Sequence, residues 1–163
     1  MNKKLTLSLG ILLAAILLQT FALSRATLLG VSPDVVTVFL AITSVFTGQR
    51  SGMTYGSASG IIGGLLSGNI GFTMLTRTIE GFVAGYFHVP EDSHATYTQK
   101  SRMLYFAAFF ASFAGNLVFN LVHNPLGEPL LYRTLVSGTV VCTMNLLITI
   151  AVNRLFLKKT LAE

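Results

Sequence analysis

Arg77 and Glu80 stand three residues apart inside the otherwise apolar stretch TMLTRTIEGFVAG. On a helix that spacing places both on one face, close enough to pair. Charges in such surroundings are costly and rarely face lipid. The two are therefore expected to pair with each other and to point inward or toward a partner. The plainer alternative is an ordinary intrahelical pair whose Arg77 snorkels outward.

Other polar residues offer less chemistry. Asn116 and Asn120, four apart, with Thr143 and Asn145 further on, are of the type that links membrane helices, each contact contributing under about 1 kcal/mol. His123 has no second His or carboxylate at ligand spacing. His88 and His94 flank Glu91 and Asp92, a pattern that reads as a solvated loop rather than a zinc cluster. The single Cys142 excludes a disulfide framework and a cysteine-based zinc site. No Ser-His-Asp set, HExxH, P-loop or GxSxG is present, so the sequence predicts no enzyme, no cofactor and no metal.

The elements that must carry these residues follow from composition. Of 163 residues, 52% are apolar and 10% charged, with a mean hydropathy of +0.69. Soluble domains carry about 25% charged residues, and this chain could not cover a soluble surface. At about 20 residues per spanning helix, six spans use about 120 and leave no room for a soluble catalytic domain. Long apolar stretches with charged flanks place them near 5–24, 31–48, 52–68, 71–88, 103–123 and 133–154. The expectation is an all-α polytopic membrane protein, residues 1–163 forming one integral-membrane domain. Pro33, Gly68-Asn69, Pro90, Pro125 and Pro129 mark the connections.

A net charge of +5 would suggest nucleic acid in a soluble protein. Here the basic residues gather at segment ends, so membrane orientation explains them and no nucleic-acid partner is expected. With both termini cytoplasmic, Lys3, Lys4, Arg50, Lys100, Arg102, Arg154, Lys158 and Lys159 all flank inner ends, leaving only Arg25 and Arg133 outside and Arg77 within a span. That bias is the one that sets topology. It also favours a full third span over a re-entrant loop, because losing one crossing would reverse it. Leu5 to Leu23 is longer than a signal peptide's core of about 7–15 residues, so an uncleaved first helix is expected.

Gly48, Gly52, Gly56, Gly60, Gly64 and Gly68 recur at every fourth position. Such positions share a slowly turning helix face, a groove without side chains that another backbone can approach. Small residues at this spacing pack helices in lipid. Gly52, Gly56, Gly60, Gly64 and Gly68 are therefore expected to seat either the fourth span, through Gly81 and Gly85, or the helix of a partner protein.

The stretch GSASGIIGGLLSGNIGFTMLTRTIEGFVAG, residues 56–85, resembles the rod-shape-determining MreD family of bacterial inner-membrane proteins. Gly60, Gly68, Ile70-Gly71 and Gly81-Phe82-Val83-Ala84-Gly85 occupy the family's glycine positions, and Pro33-Asp34 opening an apolar helix looks like its second span. Gly64 stands where the family has an acidic residue, so no role of that carboxylate carries over. The resemblance implies a non-enzymatic component of the cell-elongation complex. It would bind an MreC-like membrane protein and help link MreB filaments to the elongation peptidoglycan synthases. On that basis the groove and the Arg77/Glu80 pair would shape a partner-binding face, and Leu at Gly60 or Gly64 would weaken MreC recovery. The main rival is the substrate-binding subunit of an energy-coupling-factor vitamin transporter, similar in size and span count. That class carries AxxxA in its first helix, whereas Ala14 and Ala15 are followed four later by Leu18 and Gln19. A third possibility is a small transporter with Arg77 and Glu80 in an ion path.

Overall fold

The computed structural model describes residues 3–23, 32–90, 93–122 and 129–157. Among them the chain is all-helical, with no strand: α1 (Lys3–Phe21), α2 (Val35–Thr47), α3 (Gln49–Ser67), α4 (Ile70–Gly85), α5 (Tyr97–Val122) and α6 (Leu130–Val152), the last continued by a π-helical turn, Asn153–Leu157. Two stretches, Tyr97–Val122 and Leu131–Phe156, are long and apolar enough to cross a membrane.

Local chemistry sets the boundaries. Asp34 caps α2, its Oδ1 accepting from the backbone N–H groups of Val36 and Thr37 at 3.1 and 3.2 Å. This satisfies two of the otherwise orphaned donors of the first turn. The helix consequently begins four residues later than the expected second span. At its other end Gly48 has φ +89°, and at the end of α3 Gly68 has φ +76°, conformations that side chains disfavour. Each lets one helix reverse into the next within one or two residues. At 1.5 Å per residue α2 is about 20 Å long and α4 about 24 Å, both shorter than a hydrocarbon core of about 30 Å. The fifth helix, by contrast, starts at Tyr97, six residues before the expected span.

α2 is the centre of the bundle and touches all five other helices. Its inner half joins α4 and α5 through Ala41, Val45, Ala84, Leu104, Ala107, Ala108 and Ala111. The other half meets α1 through Leu12, Ala15, Ile16, Val36 and Leu40. Alanines at these crossings allow close helix approach, which packing without a hydrophobic driving force requires.

Polarity is distributed opposite to that of a soluble domain. Asn145, Thr149 and Asn153 are 0% exposed, whereas Leu131 and Leu155 are 76% and 75% exposed. Contiguous apolar exteriors of this kind mark membrane or interaction surfaces.

The glycine ladder is filled from within the chain. A Cβ at Gly56 would fall on the Arg77 carbonyl, one at Gly60 on the Met74 backbone, one at Gly64 on Ile70, and one at Gly81 on the Gly52 carbonyl. α3 and α4 thus pack backbone to backbone. The expectation of a groove open to a partner helix is corrected here, because α4 occupies it. Gly68 is corrected too: it is the left-handed cap of α3, with open space where its Cβ would stand, and it belongs to the turn rather than to the packed face.

Candidate functional site

Because α3 backs α4 so closely, the side chains of Arg77 and Glu80 are directed at α2. Arg77 Nη1 donates to Asp34 Oδ2 at 2.6 Å, to Thr37 Oγ1 at 2.8 Å and to Glu80 Oε2 at 2.9 Å. Thr37 in turn donates to Glu80 Oε2 at 2.9 Å. Both carboxylates are within ion-pair distance of the one guanidinium, at 2.6 and 2.9 Å. Charge-assisted bonds of this kind are roughly twice as strong as neutral ones. Asp34 divides its work: one oxygen caps α2 while the other faces Arg77. Two carboxylates share one cation, and Glu80 is 4% exposed.

Neighbouring helices hold this corner of α2. Asn145 of α6 accepts from the Asp34 N–H at 2.7 Å and donates to Ser112 of α5 at 2.9 Å. Ser112 donates onward to the Ala108 carbonyl. From α1, Gln19 accepts from the Val35 N–H and donates to the Pro33 carbonyl, both at 3.0 Å. A single helix N-terminus is therefore fastened from three sides. We expect Asn145→Ala to leave the Asp34 N–H and Ser112 short of a partner, at a cost of about 1–3 kcal/mol. A lowered melting temperature of the detergent-solubilised protein checks this.

Above the charged corner lies a cavity of about 900 Å³ between α1, α2, α4, α5 and α6, with Arg77, Glu80 and Asn145 toward its floor. A second polar group lines it higher up. Asn120 donates to Asn116 Oδ1 at 2.7 Å and to Ser137 at 3.4 Å, and Arg133 Nη2 donates to the Asn120 carbonyl at 2.9 Å. Phe72 and Phe119, ring centroids 6.0 Å apart, form part of the wall.

Of the residues singled out by sequence, the structure brings Arg77 and Glu80 together and places Asn116, Asn120 and Asn145 around the same cavity. Gly52, Gly56, Gly60 and Gly64 stand behind it as the α3–α4 seam. Thr143 is exposed and donates only to its own helix, at Thr139. His88 Nδ1 lies 2.8 Å from the Val45 carbonyl, at the far end of the bundle, and His94 is exposed. His123, Glu91 and Asp92 lie outside the described residues. Sequence spacing missed Asp34 and Thr37. The usable signal was the Pro33-Asp34 helix start together with an intramembrane arginine that one glutamate leaves with donors to spare.

Fold and site together define a helical bundle with an apolar exterior, a glycine-zipped hairpin and a buried charge cluster beneath a polar cavity. Compared with protein-family models, curated proteins and solved structures, the chain finds no match in any of the three.

Proposed function

We propose that the chain is a six-span protein of the bacterial inner membrane, both termini cytoplasmic, and a non-enzymatic component of the cell-elongation complex of the MreD kind. It binds an MreC-like membrane protein and through it helps connect MreB filaments to peptidoglycan synthases. One observation carries this reading: the residues that bear the family resemblance are those that build the central unit. Pro33-Asp34 starts the hub helix α2, Gly60 and Gly81 close the α3–α4 seam, Gly68 makes its turn, and Asp34 reaches across to α4 through Arg77.

The orientation has its own support. Val89 bonds Val45, and Asn153 bonds Ser101 and Tyr105, which gathers the α2–α3 turn, the α4–α5 connection and the end of α6 at one end of the bundle. Arg50, Lys100, Arg102 and Arg154 lie on those segments, matching the positive side of the membrane. Since α4 fills the glycine groove, a partner helix must meet the apolar exterior instead.

The test is purification from native membranes in mild detergent. An MreC-like protein is expected to co-purify, and depletion of the chain is expected to turn rods into rounded cells. Normal rods after depletion, with no MreC-like protein recovered, would overturn the assignment. The cavity favours a second reading, a vitamin-binding transport subunit, because its polar groups converge from helices rather than from loops. Recovery of a bound vitamin together with transport ATPases would establish that reading in place of the first.

A further inference from the structure

The cavity has a polarity along its depth. At the floor Asp34 and Glu80 share one guanidinium. Glu80 Oε2 accepts from both Arg77 and Thr37, whereas Oε1 accepts no hydrogen bond from the described residues. Oε1 lies against Gly115 of α5, where any Cβ would strike the carboxylate. The floor therefore has a carboxylate oxygen awaiting a small donor and one positive charge too few. Higher in the cavity Arg133 lends a second guanidinium, anchored on the carbonyl of Asn120.

Gly115 and Asn120 are five residues apart on α5, about 7.5 Å along its axis. A ligand spanning the two groups thus needs a hydrogen-bonding cation at its inner end and an anion a few bonds away. Two charge-assisted contacts of about 2.8 Å each occupy part of that span. An α-amino acid, its charges two bonds apart, reaches less far than a phosphoethanolamine group. Beyond the charges, Asn116 and Ser137 offer partners for hydroxyl groups, and Phe72 and Phe119 for the carbon skeleton.

The geometry points to this cavity as a binding site for a zwitterion that presents a primary ammonium to Glu80 and a phosphate to Arg133. The glycerophosphoethanolamine unit, whether a lipid headgroup or a free solute, has that chemistry. The inference rests on the cavity alone and not on the cell-elongation reading. Recovery of an MreC-like partner is a separate measurement, so the two can fail independently.

The full-length protein, reconstituted in nanodiscs of phosphatidylglycerol, would be titrated calorimetrically with glycerophosphoethanolamine. Saturable binding is expected, at least tenfold weaker for glycerophosphocholine, whose trimethylated nitrogen has no N–H to donate. Arg133→Gln and Glu80→Gln should each weaken binding at least tenfold. If Glu80→Gln does not fold, the choline comparison on the unaltered protein and Arg133→Gln still decide the matter. Nanodiscs containing phosphatidylethanolamine distinguish the sources: competition with the titrant identifies the lipid headgroup as occupant, and its absence identifies a free solute. Lack of saturable binding, or equal binding of the choline compound, overturns the site. So does binding that neither substitution alters, the result expected if a proton on Glu80 already balances the floor.

Discussion

Arg77→Ala is expected to cost about 3–5 kcal/mol of folding stability, the scale for removing one partner of a buried ion pair. Arg77 is the only cation bonded to either Asp34 or Glu80 among the described residues. Without it, two carboxylates face each other across the α2–α4 contact in a bundle whose surroundings supply no water-like screening. Much of the loss comes from those stranded charges rather than from the pair itself. Adding Asp34→Asn and Glu80→Gln to an Arg77→Met background should therefore recover most of it, since replacing a whole buried ionic group by neutral side chains is often nearly neutral. Asn at position 34 still caps the helix. All three acceptors converge on the single nitrogen Nη1, so Arg77→Lys, with three donors on one nitrogen, should lose less than Arg77→Ala. Unfolding of the purified protein in detergent, followed by circular dichroism, measures the series. An Arg77→Ala protein as stable as the parent would show that the cluster does not clamp α2 to α4.

How much of this was legible in the chain depends on sequence distance. The Arg77/Glu80 pairing is an i,i+3 relation and could be read directly. So could the tight α3–α4 seam, because glycines every fourth residue meet Gly81 across a two-residue turn. Asp34 could not be read in the same way. It lies 43 residues from Arg77, and whether it meets α4 depends on where α2 starts, which its own capping bonds decide. The six expected stretches each contain a helix, but Asp34 shortens the second and the early start at Tyr97 lengthens the fifth.

The cavity was less legible still. Weighing polar residues by the length of the outer loops hides it, because its lining comes from the ends of five helices scattered between Ile16 and Asn145. No local pattern links Asn116, Ser137 and Arg77. What creates the space is the shortness of α2 and α4 beside the longer α5 and α6, a property of relative helix heights rather than of any one segment. Gly115 shows the same limit. As a lone glycine in an apolar helix it carries no signal, yet the Glu80 carboxylate occupies the place of its missing side chain.

Gly60→Val should cost about 3 kcal/mol, the upper part of the usual overpacking range. The obstruction at Gly60 is the backbone of Met74, and backbone cannot rotate aside as a side chain does. α3 and α4 would have to separate, loosening the neighbouring contacts at Gly52, Gly56 and Gly64 and shifting Arg77, whose carbonyl lies over Gly56. The effect therefore spreads from the seam to the charge cluster. Gly71→Ala is the matched control. It lies in α4 with nothing within 4 Å of the added Cβ, and it should leave stability unchanged or raise it by up to about 1 kcal/mol through helix propensity. Melting temperatures of the two variants in the same detergent test the contrast. A Gly60→Val protein no less stable than Gly71→Ala would mean that α3 and α4 do not touch backbone to backbone, and Arg77 would then lose the wall that turns it toward Asp34.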